Sequence, residues 1–398
     1  MSDNSDWMSA AEAAKALGIH RATLYAYVSR GLIRSEALPG RRRERRYSRQ
    51  DVERLRRRNG ERHDPEKVGR TLQWGVPILE SAITLIADGN LYYRGCDASG
   101  LARTASLESV AALIWSGSAE SDVSDTPLHV ISGAHSSAEL PFISRAQSVL
   151  AVVAERDPLA CDLRPRSVAS TGWRILNLLT SVAAETAELD ETVDQTLAAS
   201  WAGGRARAAE MIRAALILSA DDGLNVSAFT ARCIASAGSN PYAVVIGGLA
   251  ALEGTRHGGT AIRVNNLLEE LRRTRDLRRA LSDRLRRGEA VEGFGEELYP
   301  AGDPRAATLL AMLRERFGKS AELAFAESLA AAGQSLTGEK PTFDFALAAL
   351  CRVLRLPPGT PLTLLAIGRT IGWIGHAIEQ YALDAMIRPR ARYVGNTP

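Results

Sequence analysis

A polar, charged segment at residues 59–70, NGERHDPEKVGR, lacks apolar periodicity and separates two parts of the chain that differ in charge. Residues 1–70 hold 17 Lys and Arg against 10 Asp and Glu, a net charge of +7. Residues 71–398 carry a net charge of −4. A basic head on a mildly acidic body predicts two parts with different partners, and the partner of the head should be polyanionic.

The head, residues 1–58, has the pattern of a helix, a tight turn and a second helix. Ser9 and Glu12 have the spacing of a capping box, and a stripe of small apolar residues follows them. Gly18 provides the turn, and a second helix is expected from about Arg21 to Arg30. An arginine-rich loop and a third helix come next. This order resembles the winged helix-turn-helix of MerR-like and excisionase-like DNA-binding domains.

In such domains the second helix enters the major groove of duplex DNA, and the loop binds phosphates. The resemblance implies groove contacts by Arg21, Thr23, Tyr27 and Arg30. It implies phosphate contacts by the loop residues Arg41, Arg42, Arg43, Arg45 and Arg46. The alternative is a small helical appendage whose arginines only keep it soluble. The arginine density at the position of the wing favours duplex DNA as the partner.

The body, which begins after the linker, contains one amphipathic helical pattern after another. Residues 107–114 form one such apolar stripe, which predicts a mostly α-helical fold. No phosphate-binding loop and no nucleophile elbow are present. The N-terminus has no signal pattern and no apolar run reaches membrane length, so a cytoplasmic protein is expected. Free thiols are expected because the four cysteines are far apart: Cys96, Cys161, Cys233 and Cys351.

Six blocks of the body resemble the citrate synthase family, and they occur in family order between about residues 77 and 395. The blocks are IADGNLYYRGCDASGLARTASLESVAALIWSG, DDGLNVSAFTARCIASAGSNPYAVVIGGLAALEGTRHGG, GFGEELYPAGDPR, KPTFDFALAAL, AIGRTIGWIGHAIEQ and IRPRARYVG. The resemblance implies a mostly helical two-domain body, usually a homodimer. The large domain would comprise residues 71–257 and 351–398, and the small domain residues 258–350. The active site would lie in the cleft between the two domains.

The family carries out a Claisen condensation, in which an acetyl thioester loses a methyl proton and its enol attacks the ketone of oxaloacetate. The resemblance implies that Asp344 is the base and that His257 is the donor to the enol oxygen. It also implies that Arg305, Arg369 and Arg388 bind carboxylates, the last one being contributed by the other subunit. Acetyl-CoA would be a substrate, and neither a resident cofactor nor a metal is expected.

Two positions depart from the family pattern. Asp222 stands where the family has the histidine of its Asp-His pair, and Glu296 replaces the histidine of its Gly-x-Gly-His turn. Both missing histidines would hydrogen-bond oxaloacetate. Ionised acids here would repel a dianionic substrate and could pair with Arg305 and Arg369 instead. A protonated Glu296 could still donate a hydrogen bond to a carbonyl.

Two functions therefore compete for the body. The first is a citrate synthase-type acyltransferase that condenses acetyl-CoA, or another acyl-CoA, with oxaloacetate or a related 2-oxo acid. The second is a DNA-binding regulator whose synthase-like body senses a CoA thioester or a carboxylate. Without the resemblance, four of these residues have ordinary structural roles. His257 would be a turn residue and Asp344 a helix N-cap. His376 would be a core or interface histidine, and Arg388 a surface charge.

Overall fold

A computed structural model of the chain describes residues 7–17, 24, 28, 33–37, 45–53, 79–120, 140–187, 191–391 and 393–396. The chain divides into two compact units, one of residues 1–80 and 389–398 and one of residues 81–388. None of the described helices combines the length and apolar composition that a membrane-spanning segment needs. The predicted linker lies outside the described residues, and the division of the body at residues 258 and 350 stays a prediction.

The first unit contains a three-stranded antiparallel sheet with the order β1–β3–β2. Its strands are β1 (Trp7–Ser9), β2 (Ser35–Ala37) and β3 (Arg45–Ser48), and helix α1 (Ala10–Leu17) follows β1 directly. The pair β2–β3 occupies the position of the predicted wing. Sheet and helix share one small core, which consists of Met8, Ala13, Ala14, Leu17, Leu24, Ile33, Tyr47 and Val52.

The start of α1 agrees with the sequence pattern. Glu12 Oε2 accepts a hydrogen bond from Ser9 N at 2.8 Å, and Ser9 Oγ accepts one from Glu12 N at 3.3 Å, so the predicted capping box is present. Strand β1 was not predicted, because three residues are too few to show an alternating pattern. The residues expected to enter the DNA groove lie outside the described part of the chain: Arg21, Thr23, Tyr27 and Arg30.

The second unit begins with a small antiparallel sheet of strands β4 (Thr84–Ala87), β5 (Asn90–Tyr93) and β6 (Cys96–Asp97). Two-residue turns, 88–89 and 94–95, join these strands, and all four turn residues have positive φ. Helices form the rest of the described unit: α2 (Ala98–Thr104), α3 (Leu107–Ser116), α4 (Phe142–Ala154), α5 (Pro165–Ala184), α6 (Val193–Ala202), α7 (Ala206–Ser219), α8 (Val226–Ser236), α9 (Pro241–Leu252), α10 (Gly259–Leu271), α11 (Leu277–Arg286), α12 (Pro304–Phe317), α13 (Ala321–Thr337), α14 (Phe343–Leu354) and α15 (Thr360–Leu383).

Helix α15 is buried along most of its length and packs closely against the end of α7. Gly372 permits this approach, because a Cβ at that position would lie 2.4 Å from the carbonyl oxygen of Ala220. Gly372 N donates a hydrogen bond to the same oxygen at 2.9 Å. One turn earlier on α15, Arg369 Nε donates to the carbonyl oxygen of Ser219 at 2.7 Å. This contact brings Arg369 beside the acidic residues that follow α7.

Candidate active site

The acidic pair Asp221–Asp222 stands directly after α7, and its first member is fully buried. Asp221 Oδ2 accepts a hydrogen bond from Thr84 Oγ1 at 2.6 Å, and Oδ1 lies 3.3 Å from His376 Nε2. Burial raises the pKa of Asp221, but His376, Arg369 and Thr84 outweigh burial and hold the pKa below its ordinary value. Asp221 is therefore an internal anion that ties β4 and α15 to the end of α7.

Asp222 has different surroundings, since it contacts an arginine and a tyrosine. Its Oδ2 lies 2.6 Å from Arg305 Nη1, and its Oδ1 accepts a hydrogen bond from the Tyr299 hydroxyl at 3.0 Å. Only 13% of its side chain is exposed. The pairing with Arg305 that the sequence suggested is present, and Asp222 is not a residue of a solvated loop.

Arg305 lies at the start of α12, where it is enclosed by acids and aromatic rings. Asp303, the N-cap of α12, accepts hydrogen bonds from Arg305 Nε at 3.0 Å and from Arg305 Nη2 at 2.8 Å. The guanidinium carbon lies 5.3 Å from the ring centre of Tyr299 and 5.2 Å from that of Phe343. Burial lowers the pKa of Arg305, but Asp222 and Asp303 together raise it well above its ordinary value.

Glu296 follows a turn in which Gly293 and Gly295 have φ of 89° and 79°. Its Oε1 accepts a hydrogen bond from Leu298 N at 3.3 Å. Within the described residues it forms no ion pair, so the suggested pairing of Glu296 with an arginine is wrong. Burial raises the pKa of Glu296, although Arg305 opposes the change. The site therefore shifts this carboxyl group towards its protonated form, which can donate a hydrogen bond.

Asp344 lies in the first turn of α14, and Thr342 rather than Asp344 is the N-cap of that helix. The preceding residue, Phe343, donates its N–H to Asp303 Oδ2 at 3.1 Å, so Asp303 holds both Arg305 and the start of α14. Burial raises the pKa of Asp344 to about 7 against the opposing effect of Arg305. A carboxyl group with this pKa can accept and release a proton near neutral pH.

His257 lies in the turn before α10, and its Nε2 is 2.9 Å from Ser227 Oγ on α8. Burial, with a smaller effect of Arg369, lowers the pKa of His257 to about 4, so the imidazole is neutral at pH 7. Ser227 Oγ also donates a hydrogen bond to Asn225 Oδ1 at 2.8 Å. The hydroxyl has one proton, so His257 Nδ1 carries a proton for a ligand only when the Ser227 proton turns from Asn225 to Nε2.

Arg369 differs from Arg305 because it has no carboxylate partner within ion-pair distance among the described residues. Its side chain is almost fully buried, and its Nη1 is a buried donor without a hydrogen-bond acceptor. Arg388 is exposed beyond the end of α15. The contribution of Arg388 to a neighbouring subunit stays a prediction.

The structure thus groups most of the predicted site residues at one place. Asp303 contacts both Arg305 and the backbone N–H of Phe343, the neighbour of Asp344, and the charges of Arg305, Asp303, Glu296 and Arg369 all affect the pKa of Asp344. The sequence interpretation missed Asp303 and also the contacts of Ser227 and Tyr299. The sequence Asp-Pro at 303–304 is a typical helix start, which indicates a cap but not the contact with Arg305. Among the described residues, no cluster of His, Cys, Asp and Glu is arranged to hold a metal ion.

The pKa of Asp344 leads to a prediction about stability. In the folded chain this pKa is about 7, above the ordinary value of 3.8, so the folded chain keeps a proton that the unfolded chain releases. The resulting stabilisation is complete at low pH and is lost as the pH rises through about 7. We expect Asp344→Asn to raise the urea midpoint relative to the wild type, and to raise it more near pH 8 than near pH 5. An equal difference at both pH values would contradict the raised pKa.

Two described arginines of the first unit belong to the predicted phosphate-binding set. Arg45 is exposed on β3, and its Nε donates to Ser35 Oγ at 3.1 Å. Arg46 pairs with Glu36, and its guanidinium carbon lies 5.2 Å from a ring centre of Trp7. Glu36 therefore competes with a phosphate for Arg46. The other members of the set lie outside the described residues: Arg41, Arg42 and Arg43.

Comparisons with known proteins agree on both parts of the chain. Residues 182–390 match the family described as "Citrate synthase, C-terminal domain", and residues 7–60 match the family described as "Helix-turn-helix domain". The citrate synthase of Haloferax volcanii is 31% identical in an alignment 358 residues long that covers 81% of this chain and 94% of that protein. Citrate synthase 2 of Bacillus subtilis is 33% identical over 189 residues, 47% of this chain and 51% of that protein.

Comparison with solved structures also finds similarity to a citrate synthase. The crystal structure of citrate synthase from Thermotoga maritima superposes with a TM-score of 0.69 at 26% identity, covering 81% of this chain and 95% of that one. The chain spans about half the length of the mycobacterial and Bacillus relatives that it matches. With a family match over more than half of its residues and a relative aligned over most of its length, the chain belongs to the citrate synthase family and carries a helix-turn-helix domain at its N-terminal end.

Proposed function

We propose that the body is a citrate synthase-type acyltransferase that condenses an acyl-CoA, such as acetyl-CoA, with oxaloacetate or a related 2-oxo acid. The observation that carries the proposal is the grouping of Asp344, whose pKa is about 7, with Arg305, Arg369 and the protonatable Glu296. A base that titrates near neutral pH suits the removal of a proton next to a thioester. Buried arginines beside it suit the binding of an acid.

Each step of the condensation has a candidate residue. Asp344 takes a methyl proton from the thioester, and neutral His257 donates a hydrogen bond to the enol oxygen that forms. Arg369 binds a carboxylate of the 2-oxo acid through Nη1, which has no acceptor within the described structure. Glu296, in its protonated form, donates to the ketone oxygen under attack. The enol carbon bonds to the ketone carbon, and water then releases free CoA from the thioester.

The test is the release of free CoA from acetyl-CoA in the presence of oxaloacetate and other 2-oxo acids. We expect release that depends on the 2-oxo acid, with a product acid that mass spectrometry identifies as the condensation product. Asp344→Asn, which keeps the size of the side chain but removes the base, is the inactive control. If no 2-oxo acid supports release by a folded wild-type protein, the proposal is wrong.

The active form should be a homodimer, because the family's site needs Arg388 from a neighbouring subunit and palindromic DNA needs two heads. Light scattering at micromolar concentration should therefore give twice the chain mass of 42.8 kDa. A monomer under these conditions would contradict both the complete site and the binding of a palindromic operator.

The head supports a second function, the binding of duplex DNA, because residues 7–60 match a helix-turn-helix family and Arg45 is exposed on the wing strand. If about five wing arginines reach phosphates, the slope of log affinity against log salt should be about −4 to −5. Replacing Arg41, Arg42 and Arg43 by Ala should make this slope shallower by roughly three phosphate contacts. Fluorescence anisotropy at several salt concentrations measures the slope, and an unchanged slope would contradict phosphate contacts by these residues.

A regulator without turnover is the competing function for the whole chain. In that case an acyl-CoA or a carboxylate should change the affinity of the head for DNA, while CoA release stays absent with every 2-oxo acid. The intact pair of Asp344 and His257 favours the enzyme. The acids Asp222 and Glu296 favour the regulator, since they replace donors to oxaloacetate.

A further inference from the structure

The two buried arginines of the site differ in how their positive charge is neutralised. Arg305 contacts two carboxylates, because Asp303 accepts from its Nε and Nη2 while Asp222 lies 2.6 Å from its Nη1. Tyr299 and Phe343 cover the guanidinium. The single positive charge of Arg305 is therefore already paired with the negative charges of Asp222 and Asp303. A further carboxylate at Arg305 would be the third anion around one cation.

Arg369, in contrast, forms no ion pair with a carboxylate among the described residues. Its side chain is 3% exposed, and its one hydrogen bond in the described structure goes from Nε to the carbonyl oxygen of Ser219. Its Nη1 is buried without an acceptor. A buried donor without a partner is costly, so native structures rarely keep one unless a ligand or a water satisfies it. The nearby Asp221 does not satisfy it, since Asp221 contacts Thr84 and His376 instead.

On the basis of the proposed condensation, we infer that the acceptor is a 2-oxo acid with a single carboxylate and an uncharged tail. Arg369 binds the single carboxylate, and the side chain of Asp222 occupies the place at Arg305 that a second substrate carboxylate would need. Of its two buried site arginines, the chain thus supplies its own anions at Arg305 and leaves Arg369 for the ligand. A dicarboxylate such as oxaloacetate would put its second charge against Asp222 and Asp303.

The reaction balances with the groups already named. The thioester methyl carbon loses a proton to Asp344 and bonds to the ketone carbon of the monocarboxylic 2-oxo acid, whose oxygen takes up a proton. Water then cleaves the thioester, so that free CoA leaves and the product is a hydroxy acid with two carboxylates. One product carboxylate comes from the acceptor and the other from the thioester.

Two ligands that differ in one charge test the inference. Oxaloacetate and its 4-amide, 2-oxosuccinamate, have nearly the same size, but the amide has a single carboxylate. Titration calorimetry of the full chain with each ligand alone should show tighter binding of the amide, by at least about tenfold, because like charges a few ångströms apart repel strongly at a buried site. Equal binding, tighter binding of oxaloacetate, or binding of neither ligand would overturn the inference.

Asp222→Asn provides the second measurement, since it removes the charge and keeps the shape of the side chain. Oxaloacetate binding should strengthen by about tenfold or more, while binding of the amide changes little. Asp384→Asn is the matched control, because Asp384 is exposed at the end of α15 and should leave both affinities unchanged. Equal responses of the two ligands to Asp222→Asn would overturn the inference.

CoA release separates this inference from the proposed function. Preferred binding of the amide without release of CoA would leave the inference standing and contradict the condensation. Release of CoA with oxaloacetate preferred over the amide would leave the condensation standing and contradict the inference.

Discussion

Asp222→His combined with Glu296→His should raise the condensation of acetyl-CoA with oxaloacetate near pH 7 by about a hundred- to a thousandfold over the wild type. The magnitude follows from the loss of one preorganised donor to a developing oxyanion, which costs roughly 2.7–4 kcal/mol. Asp222→His removes the carboxylate that lies 2.6 Å from Arg305 Nη1, so this arginine can bind a substrate carboxylate. Glu296→His restores a neutral donor after the glycine turn. The measurement is kcat/KM from the release of CoA.

Either substitution alone should restore little of the condensation of acetyl-CoA with oxaloacetate. Asp222→His without the second change leaves Glu296, which repels the substrate whenever it ionises. Glu296→His without the first change leaves Arg305 neutralised by two acids. Glu297→His is the matched control, because Glu297 is the exposed neighbour of Glu296 in the same loop. The hypothesis that Asp222 and Glu296 impair the condensation of oxaloacetate is wrong if the wild type already condenses it efficiently. It is also wrong if the folded double variant does not bind oxaloacetate.

The way in which the condensation rate of the wild type changes with pH tests whether Glu296 acts as a donor. The pKa of Glu296 is raised by burial, so its donor form becomes more populated as the pH falls. The pKa of Asp344 is about 7, so its base form becomes more populated as the pH rises. If both groups act, the rate passes through a maximum between their two pKa values. If Glu296 takes no part, only the rise towards pH 7 remains.

Local features were predictable from the sequence because they depend on neighbouring residues. The capping box of Ser9 and Glu12 needs a spacing of three residues, and the structure shows both of its hydrogen bonds. The mostly helical body followed from apolar periodicity alone. Strand β1 escaped prediction because it is three residues long and gains its partners from β3, which is almost forty residues later.

The site needed the family resemblance, because its members lie on segments that are far apart in sequence. Asp222, Arg305 and Asp344 come from the end of α7, the start of α12 and the start of α14. No spacing rule connects them, and a tertiary fold alone brings them together. Asp303 shows the limit of the resemblance as well. Its position before Pro304 indicated a helix cap, whereas its contacts with Arg305 and Phe343 appear only in three dimensions.

Asp303 has several structural roles that the sequence did not single out. Its side chain is 1% exposed, and its two oxygens accept hydrogen bonds from the backbone of Arg305, from the guanidinium of Arg305 and from the backbone of Phe343. One carboxylate therefore caps α12, neutralises a buried arginine and fixes the turn that places Asp344. Removing it leaves three kinds of buried donor without an acceptor.

Asp303→Ala should lower the free energy of unfolding by about 3 kcal/mol, the lower end of the range for breaking a buried ion pair, because Asp222 still compensates Arg305. The matched control is Asp276→Ala, since Asp276 is also an aspartate N-cap but is exposed and accepts only from Arg279 N at 2.9 Å. Asp276→Ala should lower the free energy of unfolding by about 1 kcal/mol, the usual effect of removing a helix N-cap. Urea unfolding of the two variants measures the difference. Equal losses would show that Asp303 acts as a cap alone, and Arg305 would then need no internal anion beyond Asp222.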